Sequence, residues 1–134
     1  MNVAIYGRNF GNSFSGMLIQ LFEELKENEI NIYIDQKFNE FIVSKVFYHP
    51  EVKGYFEKEL PEDVEFDFFL SIGGDGTFLE SATIVRDKGI PILGFNTGRL
   101  GFLAYVNTNN LIWAIKQLIA GEYTIDKRML LEVN

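Results

Sequence analysis

The stretch from Asp67 to Gly89 constrains the fold more than any other part of the chain. Phe68, Phe69, Leu70, Ser71 and Ile72 form a short apolar run, and Gly73-Gly74-Asp75-Gly76 closes it. A helical pattern follows from about Thr77 to Lys88, with Gly89 placed as its stop. A buried strand that passes through a glycine turn into a helix is half of a β-α-β unit. Such units build parallel sheets whose faces are covered by helices.

The opening of the chain repeats the arrangement. Residues 2–6 are an apolar run ending at Gly7, residues 7–13 read as a polar loop, and residues 14–28 read as an amphipathic helix. In that helix Met17, Leu18, Leu21, Phe22 and Leu25 share one face, with Glu23, Glu24, Lys26 and Glu27 on the other. A second strand is expected at 30–34. A short helix is expected near 37–44, followed by an irregular or weakly stranded segment in which Pro50 and Pro61 break any long element. Further along, 90–95 reads as a strand, 96–101 as a loop, 108–120 as an amphipathic helix and 129–134 as a strand. The expected fold is α/β: three layers, an open and mostly parallel sheet with helices on both faces. Open sheets of this kind bind ligands outside the carboxyl ends of their strands. Both glycine-rich loops, 73–76 and 94–101, follow expected strands and fall on that edge.

Composition removes several function classes. The chain of 134 residues has a hydrophobic fraction of 47% and 13 Phe, enough for a sizeable core. Its net charge of −7 argues against nucleic acid as a partner, which needs a basic footprint. Backbone N–H groups and a metal ion still serve a small phosphorylated ligand. With no cysteine there is no disulfide, thiolate metal site or cysteine nucleophile. No apolar run approaches the ~20 residues that span a bilayer. The N-terminus has neither the basic nor the long apolar region of a signal peptide. A reducing cytoplasm is the expected compartment.

The motif Gly73-Gly74-Asp75-Gly76-Thr77 carries the chemistry. Its glycines allow close backbone approach, and the start of the following helix offers unpaired N–H groups and a positive dipole end to phosphate. It is neither a P-loop, whose lysine is missing, nor the G-x-G-x-x-G fingerprint. Asp75 needs a task of its own, since a carboxylate in a phosphate turn repels the ligand. It holds a phosphate-bound metal ion, accepts the proton of an attacking hydroxyl, or simply caps the helix. Thr77-x-x-Glu80 reads as a capping box, which makes Glu80 structural. Arg8 reads as a solvated loop arginine and His49 as a surface residue. On composition alone Phe102 reads as ordinary core.

Gly-Gly-Asp-Gly-Thr after a strand resembles a motif shared by NAD kinases and by diacylglycerol and sphingosine kinases, with a close variant in phosphofructokinases. Asn96-Thr97-Gly98-Arg99-Leu100-Gly101-Phe102-Leu103 decides among them, because it is similar to the NAD kinase segment after the next strand. The Pro-x-Gly-Thr-x-Asn-Asp-like stretch of lipid kinases is not there. The resemblance covers nearly the whole chain, from Val3–Tyr6 to Lys127-Arg128-Met129-Leu130.

The resemblance implies a transfer of the γ-phosphoryl of ATP to the 2′-hydroxyl of the NAD adenosine ribose, making NADP. It implies that Asp75 activates that hydroxyl and that Gly76 contacts the ligand through its backbone. Leu79 and Phe102 would pack against the NAD adenosine, and Gly73, Gly74 and Thr77 would lie at the phosphates of ATP. The implied cofactor is a divalent cation, Mg²⁺ arriving with ATP, with no metal held by the protein alone. Residues 1–128 would form the nucleotide-binding domain. Residues 129–134 would begin a β-rich second domain that the chain lacks, leaving the isolated chain inactive and the full-length protein a homo-oligomer. The alternatives are a lipid-type kinase of the same superfamily and a non-catalytic nucleotide-binding domain.

Overall fold

A computed structural model describes residues 1–8, 14–96, 106–107, 111–121, 123–125 and 131–133. In chain order the elements are β1 (Asn2–Gly7), α1 (Ser15–Glu27), β2 (Asn31–Asp35), α2 (Gln36–Phe41), β3 (Gly54–Phe56), β4 (Phe68–Gly73), α3 (Asp75–Val85), β5 (Ile92–Asn96), β6 (Val106–Asn107), α4 (Leu111–Ile119), β7 (Tyr123–Ile125) and β8 (Leu131–Val133). Strands β1 to β6 form one sheet in the order β3-β2-β1-β4-β5-β6, and every neighbouring pair is parallel. Strands β7 and β8 pair antiparallel with each other.

The period-two alternation of the strands sorts the core onto two faces. Val3 and Ile5 of β1, Phe68, Leu70 and Ile72 of β4, and Leu93 and Phe95 of β5 pack with Leu18, Leu21, Phe22 and Leu25 of α1. Phe38 of α2 and Ala114, Ile115 and Leu118 of α4 join the same cluster. Ala4, Phe69 and Ile92 face the other way and meet Phe78, Ile84 and Val85 of α3. The sheet thus has helices on both faces, as expected. Burial on both faces explains why β4 reads as a continuous apolar run rather than an alternating one.

Four features depart from the sequence expectation. Helix α3 begins at Asp75, two residues before Thr77, because Gly74 in an extended conformation (φ −111°, ψ −163°) serves as its N-cap. It ends at Val85 rather than Lys88, because Arg86 leaves the helical region at φ 53°. The Arg86 N–H still bonds the Ala82 carbonyl at 2.8 Å and its Nε bonds the Thr83 carbonyl at 3.1 Å, so the last turn keeps its partners. Gly89, at φ +72°, turns the chain toward β5 instead of capping the helix. The segment between Pro50 and Pro61, expected to be irregular or weakly stranded, contains β3, a three-residue edge strand, and so does not count among the four. Helix α2 continues as a π-helical stretch over Ile42–Val46. Of the expected loop at 96–101, Asn96 ends β5 and residues 97–101 lie outside the described residues.

One buried polar contact joins α3 to β4. Ser81 Oγ lies 2.8 Å from Ser71 Oγ and 2.9 Å from the Thr77 carbonyl oxygen, and both serines are buried. Removing the Ser81 hydroxyl takes away the partner of the buried Ser71 hydroxyl, whereas Ser81 keeps the Thr77 carbonyl when Ser71 is removed. Ser81→Ala is expected to cost about 1–3 kcal/mol of stability. Adding Ser71→Ala should cost little more, because no orphan then remains. Denaturant melts of the two single variants and the double variant check this; strictly additive losses would contradict it.

Candidate functional site at the carboxyl edge of the sheet

The strand order sets the position of the site. From β1 the chain builds outward through β2 to β3, then crosses to β4 on the other side of β1 and builds away through β5 and β6. Right-handed crossovers running in opposite directions place α1 and α3 on opposite faces and leave a crevice at the carboxyl ends of β1 and β4. The register holds these two ends together, with Tyr6 beside Ser71 and Gly7 beside Ile72. The Arg8 N–H adds a bond to the Ile72 carbonyl at 3.1 Å. Gly73-Gly74-Asp75-Gly76-Thr77 lies on this crevice.

The turn is built by two different uses of glycine. Gly73 has φ +155°, and a Cβ there would sit 2.4 Å from Thr77 Oγ1 and 2.8 Å from Thr77 Cβ. The turn closes against Thr77 only if residue 73 has no side chain. Gly74 has a negative φ, and a Cβ there would meet nothing within 4 Å, so its φ imposes no strain. Gly76 is also open above its Cα and lines a cleft with Arg8, Thr77 and Glu80. The Phe78 N–H makes the helical bond back to the Gly74 carbonyl at 3.0 Å, so the N–H groups of Gly76 and Thr77 come before the helix's own ladder. Asp75 is the first residue of α3, partly exposed, where its negative charge is favoured by the helix dipole. It is therefore not the N-cap; that position belongs to Gly74.

A second, larger cleft of about 690 Å³ adjoins the first and shares Arg8 and Glu80 with it. It runs over the ends of β1, β2 and β3 and along the flank of α3. Arg8, Lys37, Lys58 and Arg86 line it, with Asp35, Glu57 and Glu80 opposing them. An acidic chain has gathered a local excess of basic groups here.

Glu80 does not close a capping box. The Tyr6 hydroxyl donates to its Oε2 at 2.8 Å, and the Arg8 guanidinium donates to the same oxygen and forms an ion pair with it. The Arg8 hydrogen bond holds the Glu80 carboxyl below the usual carboxylate range. Burial pushes the Tyr6 phenol up, and its bond to Glu80 adds to the effect. The pair tethers Arg8 beside the glycine turn and cancels the charge that Glu80 would otherwise present to an anion. Their pairing is not readable in the sequence, because 72 positions separate them.

Asp35 is the other group that the sequence does not single out. It ends β2, is buried, and its Oδ2 accepts from the Phe38 N–H at 3.0 Å as the N-cap of α2. Burial pushes its carboxyl above the usual range, the Phe38 bond pulls it down, and the nearby Glu57 raises it again.

Of the residues singled out in the sequence, Gly73, Gly74, Asp75, Gly76 and Thr77 come together at the crevice. Leu79 is 61% exposed on α3 and lines neither cleft. Phe102 lies outside the described residues.

The geometry separates the turn's glycines by role. Gly73→Ala should lower stability by about 1–3 kcal/mol through the clash with Thr77 and the strained φ. Gly74→Ala should leave the melting temperature within a degree or two and change only ligand affinity. Thermal melts with and without ATP distinguish these outcomes; equal destabilisation by both variants would contradict the assignment.

Comparison with known proteins bears on what the crevice serves. The family profile described as the ATP-NAD kinase N-terminal domain matches residues 3–123. An NAD kinase of Flavobacterium psychrophilum is 40% identical over 134 residues, covering 99% of this chain and 45% of its own length. Those of Porphyromonas gingivalis and Bacteroides fragilis are 37% and 35% identical, covering 98% and 99% of this chain and 44% and 45% of theirs. The chain thus spans less than half the length of the relatives it matches. Among solved structures, yeast NADH kinase complexed with NADH superposes with a TM-score of 0.69 at 20% identity, over 92% of this chain and 39% of that one. At that identity the likeness concerns the fold.

Proposed function

The chain belongs to the NAD kinase family through its N-terminal domain, and from that premise we propose that the protein transfers the γ-phosphoryl of ATP to the 2′-hydroxyl of the adenosine ribose of NAD. The observation that carries the reading is the position of Asp75. It is a carboxylate at the first residue of α3, between Gly74, which is open to close approach, and Gly76, which lines a cleft with Arg8. A phosphate turn that carries its own proton acceptor suits the transfer of a phosphoryl group to a hydroxyl. The family match over residues 3–123 supports this acceptor over a lipid.

In the proposed reaction the ribose O2′ forms a bond to Pγ while the bond from Pγ to the β-γ bridging oxygen breaks. The hydroxyl proton passes to the Asp75 carboxylate, and ADP leaves. The Gly76 and Thr77 N–H groups and Arg8 would hold phosphate oxygens, while the Glu80 ion pair keeps the Arg8 side chain over the turn. Magnesium would arrive on the triphosphate, with phosphate oxygens and water among its ligands, and would neutralise charge on the transferring group. Leu79, exposed on α3 and away from both clefts, offers an apolar surface for the adenosine of NAD, and Phe102 is proposed as its partner. That division leaves the large cleft to ATP. We place the protein in the cytoplasm and assign the complete acceptor site to a homo-oligomer at natural length.

In the protein at its natural length, Asp75→Asn should lower kcat about 10²–10⁴-fold and change KM for NAD far less. The amide keeps the size of the side chain and loses the basic oxygen. ATP-dependent NADP formation measures this, and a variant within a few-fold of wild-type kcat would reduce Asp75 to a structural residue.

A further inference from the structure

The large cleft contains a buried carboxylate for which phosphoryl transfer, as proposed, has no use. Asp35 is 7% exposed, yet it lines the cleft beside Gly7, Arg8 and Lys37. Among the described residues its carboxylate accepts one hydrogen bond, from the Phe38 N–H to Oδ2. Capping a six-residue helix does not require a carboxylate, since Ser and Asn cap as well without burying a charge. The position offers a reason for the charge. In dinucleotide-binding sheets of this strand order, an acidic side chain at the carboxyl end of the strand next to β1 receives a ribose hydroxyl of a nucleotide whose pyrophosphate lies on the turn after β1, which borders the same crevice as the turn after β4. Here β2 is that strand, and Asp35 is its last residue.

Dimensions agree with this arrangement. Asp35 lies two strands from β4, and the register sets it level with Tyr6 and Ser71, two residues before Gly73. Strand spacing and rise put it roughly 10–12 Å from the phosphate turn, a span that the triphosphate of a nucleotide covers. Arg8 lies on the path and lines both clefts. Phe38 and Ile84 supply apolar wall within the same cleft. Gly7 lets the Phe38 ring lie against the end of β1, since a Cβ there would stand 2.5 Å from that ring.

We infer that Asp35 binds the ribose diol of the phosphoryl-donor nucleotide, which makes it a determinant of preference for ribonucleoside triphosphates. The inference rests on the reading that the donor is ATP. Each ribose hydroxyl donates to the carboxylate, a charge-assisted bond in a site sheltered from water.

The test compares Mg–ATP with Mg–2′,3′-dideoxy-ATP by isothermal titration, using the protein at its natural length. The wild type should bind ATP about tenfold or more tightly than the dideoxy analogue. Asp35→Ser retains a helix cap and should abolish that preference, while leaving affinity for inorganic triphosphate unchanged. Should the serine variant fail to fold, Asp35→Asn retains both cap and size and should lose most of the preference. Full discrimination in either folded variant overturns the inference and leaves the ATP reading intact. Weakened NAD binding with unchanged ATP binding also overturns it, by placing the acceptor's ribose in the cleft. Absence of ATP binding to the wild type overturns both the inference and the reading beneath it.

Discussion

The parallel pairing of β1 with β4 is the constraint on which the rest depends. These two strands are distant in sequence and adjacent in the sheet, and from them the chain builds outward in opposite directions. Neighbouring strands inside a run of crossovers have their carboxyl ends covered by the connections between them. At β1 and β4 the connections diverge, one toward α1 and one toward α3, and the edge stays open. Everything polar in the site lies around that opening: Arg8 one residue past β1, the glycine turn past β4, and Asp35 at the end of β2. The apolar clusters on both faces are what make the opening rigid enough to place these groups.

Electrostatics then divides the opening into two regions. At the glycine turn the groups favourable to an anion are backbone N–H groups and a helix dipole, which need no counter-charge from the chain. Glu80 would spoil that region if it were unpaired; the Arg8 guanidinium neutralises it and the Tyr6 hydroxyl donates a further hydrogen bond. Over β2 a carboxylate stays buried, with its ionisation opposed by desolvation. A folded-state pKa above the unfolded value means that the associated stability is fully present below the unfolded pKa. It is lost as pH rises through the folded pKa. Ionising Asp35 therefore costs stability, a pattern common where a binding group is held ready for a ligand.

Much of this was legible in the sequence because it rests on local signals. The strand at Phe68–Gly73, the glycine turn and the helix after it follow from one continuous stretch, and α1 follows from its leucine stripe. The start of α3 was misplaced by two residues, because Asp and Thr are both good caps and hide that a glycine takes the role here. Strand β3 left only a weak signal, because three edge residues carry no period. The pairing of Tyr6 and Arg8 with Glu80 could not be read at all, since it exists only once β1 and β4 are side by side. Asp35 left a weak signal: a carboxylate ending an apolar strand immediately before a helix, which also reads as a plain cap.

The central claim is that nucleotide phosphates lie at the β1–β4 switch point. Hydrogen exchange of the protein at its natural length, followed by mass spectrometry with and without Mg–ATP, tests it directly. The account predicts that added protection concentrates in peptides covering Tyr6–Arg8 and Gly73–Phe78, with a lesser effect around Asp35. Protection confined to the opposite edge of the sheet, around Asn2 and Asp67, or absent from the glycine turn, would contradict it.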